Sequence, residues 1–200
     1  MKIAVVIPAR LKSTRFPEKP LAKIFGKPMI ELVWSRCIKA IDKSCVYVAT
    51  DSKKIKNFCD TKDIKCILTS KNCLTGTDRV YEANKIINAD VVINVQGDEP
   101  LISPLDLKKV INLSKKSPDK ILNAMCEISH EKDFRSLSIP KVVFSKKNYL
   151  IYMSRSPIPQ NKMNNFEKAW KQVCIYAIPK KPLKNFYLSK KLIVVWHTYT

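Results

Sequence analysis

Three short segments carry side chains whose types and spacing could do chemistry. The first runs Pro8-Ala9-Arg10-Leu11-Lys12-Ser13-Thr14-Arg15-Phe16-Pro17-Glu18-Lys19-Pro20. It sets two arginines, two lysines and two hydroxyls in a loop pinned by prolines. Guanidinium forks and ammonium point charges suit a polyphosphate; a solvated basic loop is the plain alternative. The run Gly-x-x-x-x-Gly-Lys-Ser/Thr is absent, so this is not a P-loop. Nor can Gly-x-Gly-x-x-Gly be assembled from Gly26, Gly76 and Gly97, the chain's three glycines. The second segment, Gln96-Gly97-Asp98-Glu99-Pro100, follows an apolar run. A carboxylate at such a strand end can hold Mg²⁺ against substrate phosphates, with water filling the other positions. A turn with a solvated acid pair is the alternative. In the third, Thr75-Gly76-Thr77-Asp78-Arg79, hydroxyls and backbone N–H groups could reach a base or phosphate, although Thr77 or Asp78 could equally serve only to cap a helix.

These segments need a scaffold that gathers them, and open α/β sheets bind ligands beyond the carboxyl ends of their strands. Ile3–Ile7 is a β-branched run suited to a strand buried on both faces. Ile30, Val33, Trp34, Cys37 and Ile41 recur at helical spacing. Cys45–Ala49 reads as a strand, Ser52 as the N-cap of a short helix bearing Ile55, Phe58 and Cys59, and Cys66–Leu68 as a third strand. A helix is expected from about Thr77 with Val80, Ala83 and Ile87 inward. Val91–Val95 is a strand, and Pro104 opens a helix carrying Leu107, Val110 and Ile111. Strands and helices alternating in this way predict βα units with a mostly parallel sheet. After Ile121 helices thin out. Ile121–Ile128, Val142–Phe144, Leu150–Met153 and Val173–Ile178 predict strands of an antiparallel or mixed extension.

The chain has 200 residues, 46% hydrophobic and 27% charged, a profile of one folded domain rather than a disordered chain. Its net charge of +20 would suit nucleic acid, anionic membranes or anionic small molecules. Of 37 basic residues 31 are lysine, spread along the chain, whereas base readout and bidentate phosphate contacts favour arginine. A basic RNA-binding module is thus disfavoured. Seven cysteines with no Cys-x-x-Cys read as reduced core thiols of a cytoplasmic protein. No stretch approaches the roughly 18 apolar residues of a membrane span. Neither nucleic acid nor membrane is an expected partner.

Taken together, the segments resemble the cytidylyltransferases that activate 3-deoxy-manno-octulosonate (Kdo), the CMP-Kdo synthetase family. The resemblance covers residues 2 to 186. It rests on IPARLKSTRFPEKPL at Ile7–Leu21, GKPM at Gly26–Met29, TGTDRV at Thr75–Val80 and NVQGDEPLI at Asn94–Ile102. PKVVFS at Pro140–Ser145, SRSPIP at Ser154–Pro159 and CIYAI at Cys174–Ile178 continue it. It implies a Rossmann-like α/β nucleotidyltransferase fold, with a mostly parallel mixed sheet and an antiparallel extension in the second half. It also implies a cytoplasmic homodimer that uses Mg²⁺ to convert CTP and Kdo to CMP-Kdo and pyrophosphate, for lipopolysaccharide or related polysaccharide synthesis. Carried onto matching positions, Arg10, Ser13, Arg15 and Lys19 would grip the triphosphate, with Lys19, Arg15 and Asp98 catalytic. Asp98 would hold the metal. Ala9, Gln96, Thr75, Gly76, Asp78 and Arg79 would face the nucleotide, and Arg155, Gln172 and Tyr176 the sugar acid.

Three departures from the family pattern set further expectations. Glu18 puts an acid beside the phosphate loop where the family often has glycine. Gln172 replaces a histidine of the family's His-x-Gly-Ile-Tyr run, which admits a related sugar acid, such as 8-amino-Kdo or a sialic-acid-like sugar. Finally, the domain is expected at 1–186, incomplete at its C-terminus, with 187–200 an unmatched tail. The resemblance implies a further sugar-contacting helix and a second metal aspartate that the tail does not match. A truncated, non-catalytic CTP-binding remnant therefore stands beside the active enzyme as a reading.

Overall fold

The computed structural model describes residues 1–11 and 16–189. Strand β1 (Ile3–Ala9) leads into the loop that ends in a 3₁₀ turn at Lys19–Leu21. A small hairpin of β2 (Lys23–Ile24) and β3 (Lys27–Pro28) precedes α1 (Met29–Cys37). Next come β4 (Val46–Thr50), α2 (Lys53–Thr61), β5 (Cys66–Leu68), α3 (Gly76–Ile87), β6 (Val91–Val95) and α4 (Pro104–Lys116). The second half holds β7 (Leu122–Glu127), α5 (Glu131–Arg135), β8 (Lys141–Phe144), β9 (Leu150–Ser154), β10 (Trp170–Pro179) and α6 (Lys180–Leu188).

The main sheet runs β5-β4-β1-β6-β10-β8-β9, with β7 also paired to β10. Strands β5, β4, β1 and β6 are parallel, while β10 is antiparallel to β6, β7 and β8. This is the expected α/β architecture with its antiparallel extension. All seven residues of β1 are buried because both faces are covered. Ile3, Val5 and Ile7 pack with Ile30, Val33, Ile55 and Leu107, from α1, α2 and α4. Ala4 and Val6 pack with Val80, Ala83, Ile87 and Leu183, from α3 and α6. Alternation along the strand sends successive side chains to opposite faces, so a strand with two covered faces is apolar throughout.

Some expected details differ. Helix α1 ends at Cys37, so Ile41 reaches the same core from the following turn rather than from the helix. The cap of α3 is Thr75, two residues before the nearer expected cap, Thr77: its hydroxyl accepts from Asp78 N while the Asp78 carboxylate accepts from Thr75 N. This reciprocal box satisfies two of the backbone donors that a helix start leaves open. All seven cysteines are free, but only Cys37 and Cys59 are buried and Cys126 is exposed. The expectation that most of the cysteines are core thiols is corrected accordingly: four are only half-buried, and β7 turns Cys126 outward at its exposed end.

Candidate functional site

The carboxyl ends of β1 and β6 lie side by side. A Cβ on Gly97 would sit 2.8 Å from the Pro8 carbonyl oxygen, so only glycine allows the two strand ends to approach this closely. That approach carries Asp98 toward the end of the first loop, where Lys19 Nζ donates to Asp98 Oδ2 at 2.7 Å. Both side chains remain partly open to solvent, at 38% and 49% exposure. They sit in a cleft of about 590 Å³ lined by Ala9, Arg10, Lys19, Gln96, Asp98 and Arg155 among others. A smaller recess of about 200 Å³ shares Ala9, Arg10 and Gln96 with it and adds Thr75, Gly76 and Arg79. Parts of all three sequence segments thus converge at one strand-end crevice, and the later Arg155 joins them.

Several expected residues hold different positions. Asp78 is buried and is spent on the α3 cap. Arg79 lines the recess, but its guanidinium is also buried and pairs with Asp51 at 3.1 Å and Thr69 Oγ1 at 2.5 Å. It ties α3 to the loops that follow β4 and β5. Gln172 and Tyr176 line neither hollow among the described residues. They stand half-buried on β10, joined by a 2.7 Å bond from Gln172 Nε2 to the Tyr176 hydroxyl. Ser13 and Arg15 lie outside the described residues, as do His197 and the rest of the tail from Lys190.

Electrostatics sharpen the floor of the site. Burial, followed by the negative Asp98 next to it, raises the Glu99 carboxyl above its ordinary value. The Cys174 thiol bonds to Glu99 and is pushed up to about 11, chiefly by burial and then by the Glu99 and Asp98 charges. The Tyr176 phenol is pushed up to about 12, again chiefly by burial. Burial, with neighbouring negative charge second, keeps the thiol and phenol protonated at neutral pH.

Sequence reasoning missed three structural supports. Glu18 adopts a left-handed backbone, φ 55°, and both of its carboxylate oxygens accept from Lys54 Nζ at 2.7 Å. The acid is thereby turned onto α2 and neutralised. Lys141 is fully buried and donates to the carbonyls of Ser136, Ile139 and Arg155 at 2.8, 2.8 and 2.5 Å. With Arg155 Nη1 bonded to Leu137 O at 3.0 Å, this holds the Arg155 backbone at the mouth of the cleft. Asn123 of β7 donates across the ladder to the Val173 and Ile175 carbonyls of β10. Each bond joins residues distant in sequence or depends on a fold-specific turn, so composition and periodicity gave no sign of them.

The cytidylyltransferase family pattern matches residues 4–192. This chain belongs to the cytidylyltransferase family. It is 39% identical over 191 residues to the 8-amino-3,8-dideoxy-manno-octulosonate cytidylyltransferase of Shewanella sp. (strain W3-18-1), covering 93% of this chain and 78% of that protein. It is also 39% identical over 196 residues to the 3-deoxy-manno-octulosonate cytidylyltransferase of Francisella philomiragia subsp. philomiragia, with the same coverages. Among solved structures, CMP:2-keto-3-deoxy-manno-octonic acid synthetase complexed with CTP superimposes with a TM-score of 0.86 at 35% identity, covering 93% of this chain and 77% of that one. A cytidylyltransferase from Leptospira borgpetersenii shares the fold, with a TM-score of 0.65 at 19% identity over 96% of this chain and 66% of that one. The expected family and fold are both borne out.

Proposed function

We propose that this cytidylyltransferase transfers CMP from CTP to Kdo, releasing pyrophosphate. In that reaction the anomeric hydroxyl oxygen bonds to the α-phosphorus as the bond to the β-phosphate oxygen breaks and the hydroxyl proton leaves. The observation that carries the reading is the Lys19–Asp98 pair, held at the joined ends of β1 and β6 inside a cleft with Arg10 and Arg155. Phosphoryl-group chemistry of this kind asks mainly for positioning and for charge stabilisation. Lys19 has the charge and reach to offset negative charge on the phosphates and departing pyrophosphate, with Arg10, Ser13 and Arg15 of the same loop helping to grip them. Gln96, Thr75 and Gly76 would face the nucleotide. Arg155 would face the sugar acid, where a guanidinium suits a carboxylate, and Gln172 and Tyr176, which stand off the cleft lining on β10, would complete that side.

Mg²⁺ fits this reading. Among the described residues no group of three or more His, Cys, Asp or Glu side chains could hold a metal ion. The donor set is Asp98, with Glu99 beside it. A single carboxylate plus water and substrate phosphates is an ordinary set for Mg²⁺, and Asp98 would hold it. When bound, the ion would screen the triphosphate charge.

A second sugar is favoured by a specific observation: relatives of the two names match this chain equally, at 39% identity. Pyrophosphate release from CTP and Mg²⁺, with Kdo and 8-amino-Kdo supplied separately, tests both. Turnover of one or both is expected. CTP binding without turnover of either would instead support a non-catalytic remnant. Asp98→Ala and Lys19→Ala are each expected to reduce turnover about 100-fold or more; unchanged rates would remove them from the machinery. We further propose a homodimer working in the cytoplasm. The dimer is supported by the apolar edge strand β9 and the compartment by free thiols.

A further inference from the structure

Strand β10 does not run evenly beside β7. Val173 lies opposite Ala124, but the next matched pair is Tyr176 with Asn123. Three steps along β10 therefore answer one step along β7, and Cys174 and Ile175 bulge. A bulge leaves ladder carbonyls unanswered, and a buried carbonyl without a donor is costly. Here the donor is a side chain. Asn123 Nδ2 donates to Val173 O at 3.3 Å and to Ile175 O at 3.4 Å, the carbonyls on either side of Cys174.

The same amide reaches further. Asn123 Oδ1 accepts from Gln172 Nε2 at 3.4 Å, and that Nε2 donates to the Tyr176 hydroxyl at 2.7 Å. At the bulge, Cys174 O accepts from Gln96 N at 3.5 Å, and the Cys174 thiol bonds to Glu99. One half-buried side chain on a neighbouring strand thus sets where Gln172, Cys174 and Tyr176 stand against the Gln96–Glu99 turn.

We infer that Asn123 is a positioning residue for sugar recognition, clamping the β10 bulge so that Gln172 and Tyr176, the side chains that the proposed reading assigns to the sugar acid, are held in place on β10. It acts through those side chains and through the backbone, not by touching substrate. The inference rests on the proposed sugar-acid cytidylyltransferase reading. Its test is therefore arranged so that failure of either is separately visible.

Asn123→Leu keeps the branched shape of the side chain, with somewhat more bulk, and removes its donors and acceptor; Asn123→Ala removes both volume and polar groups. With CTP and whichever of Kdo or 8-amino-Kdo the wild-type chain uses, both variants are expected to raise KM for the sugar about tenfold, because small displacements of positioning groups have large effects. KM for CTP should stay within about twofold. Equal changes in both constants, or a leucine variant matching wild type, would overturn the inference, since a merely space-filling role is restored by leucine. The second measurement is amide hydrogen exchange over residues 170–179 in the substrate-free chain, which needs no turnover. Faster exchange around the bulge in Asn123→Leu supports the clamp; unchanged exchange overturns it. Wild-type inactivity with both sugars would count against the functional reading alone, and the exchange result would still decide the clamp.

Discussion

At the scale of single residues, the candidate site depends on a missing side chain as much as on charged ones. Gly97 is the point where β6 turns past the end of β1, and a Cβ there would meet the Pro8 backbone oxygen at 2.8 Å. Backbone cannot swing aside as a side chain can. The other two glycines differ: at Gly76 an added Cβ meets the Pro8 side chain at an ordinary 3.5 Å, and at Gly26 it meets nothing, only a φ of +79°. Gly97→Ala should therefore be the most damaging of the three alanine substitutions to the site. We expect it to lower stability by about 1–3 kcal/mol, the usual cost of forcing atoms into a packed place. It should reduce kcat/KM at least tenfold as Asp98 moves away from Lys19. Urea unfolding and steady-state kinetics on Gly97→Ala and Gly76→Ala check this. Equal effects at the two positions would mean that the strand ends yield freely. The Glu18–Lys54 pair makes a related point. Glu18 is an acid beside the phosphate loop, yet its left-handed backbone and its lysine partner aim it away from the cleft.

At the scale of elements, the same kind of pairing attaches the smaller second half to the sheet. Lys171 on β10 bonds to Asp133 on α5 at 2.9 Å, and Phe134 of that helix packs against Phe166. The Lys171 ammonium holds the Asp133 carboxyl below the usual carboxylate range, by its hydrogen bond first and its charge second. A depressed folded-state value means that the folded form binds its proton less readily than the unfolded chain does. The pair's contribution is then complete above the unfolded carboxyl's titration and is lost as pH falls through the lower folded value. Asp133→Asn should melt earlier than wild type at pH 7, and the gap should close below about pH 4. A gap independent of pH would show that the pair contributes no linked stability. Such partners also mark what could be read from the sequence. Strands β1 and β6 were legible because their burial on two faces makes them apolar throughout, and their ends located Asp98 and the basic loop. The start of β10 was not legible. Lys171 and Gln172 look like loop residues until Asp133 and Asn123, 38 and 49 positions away, supply their partners. Likewise Gly76 looked like the residue before a helix and proved to be its first, because Thr75 and Asp78 close the cap around it. Arg79 seemed free to face a nucleotide until the fold brought Asp51 against it.

At the scale of the whole molecule, the sheet ends in two edges of different character. Strand β5 is only three residues long, and short edges are one way that proteins avoid joining other sheets. Strand β9 is five residues long, and Leu150, Ile151 and Tyr152 are 52%, 65% and 59% exposed. Successive side chains of a strand point to opposite faces, so exposure of all three leaves both faces of this edge apolar and, among the described residues, open. Tyr149 beside them is also exposed. The occupant we expect is a second copy of the chain. Antiparallel pairing of β9 with itself about a two-fold axis would satisfy its edge N–H and carbonyl groups and cover the apolar side chains with their own equivalents, an isologous contact. The net charge of +20 opposes association, and no lysine or arginine falls between Tyr149 and Met153. Association should therefore tighten as salt screens the remaining surface. Sedimentation velocity is expected to show a dimer whose population grows with ionic strength. Ile151→Lys should give a monomer with wild-type circular dichroism, whose melting temperature no longer rises with protein concentration as the wild type's does, because a contact between folded copies stabilises them by mass action. A wild-type chain that remains monomeric at tens of micromolar in high salt would remove β9 as the contact between copies.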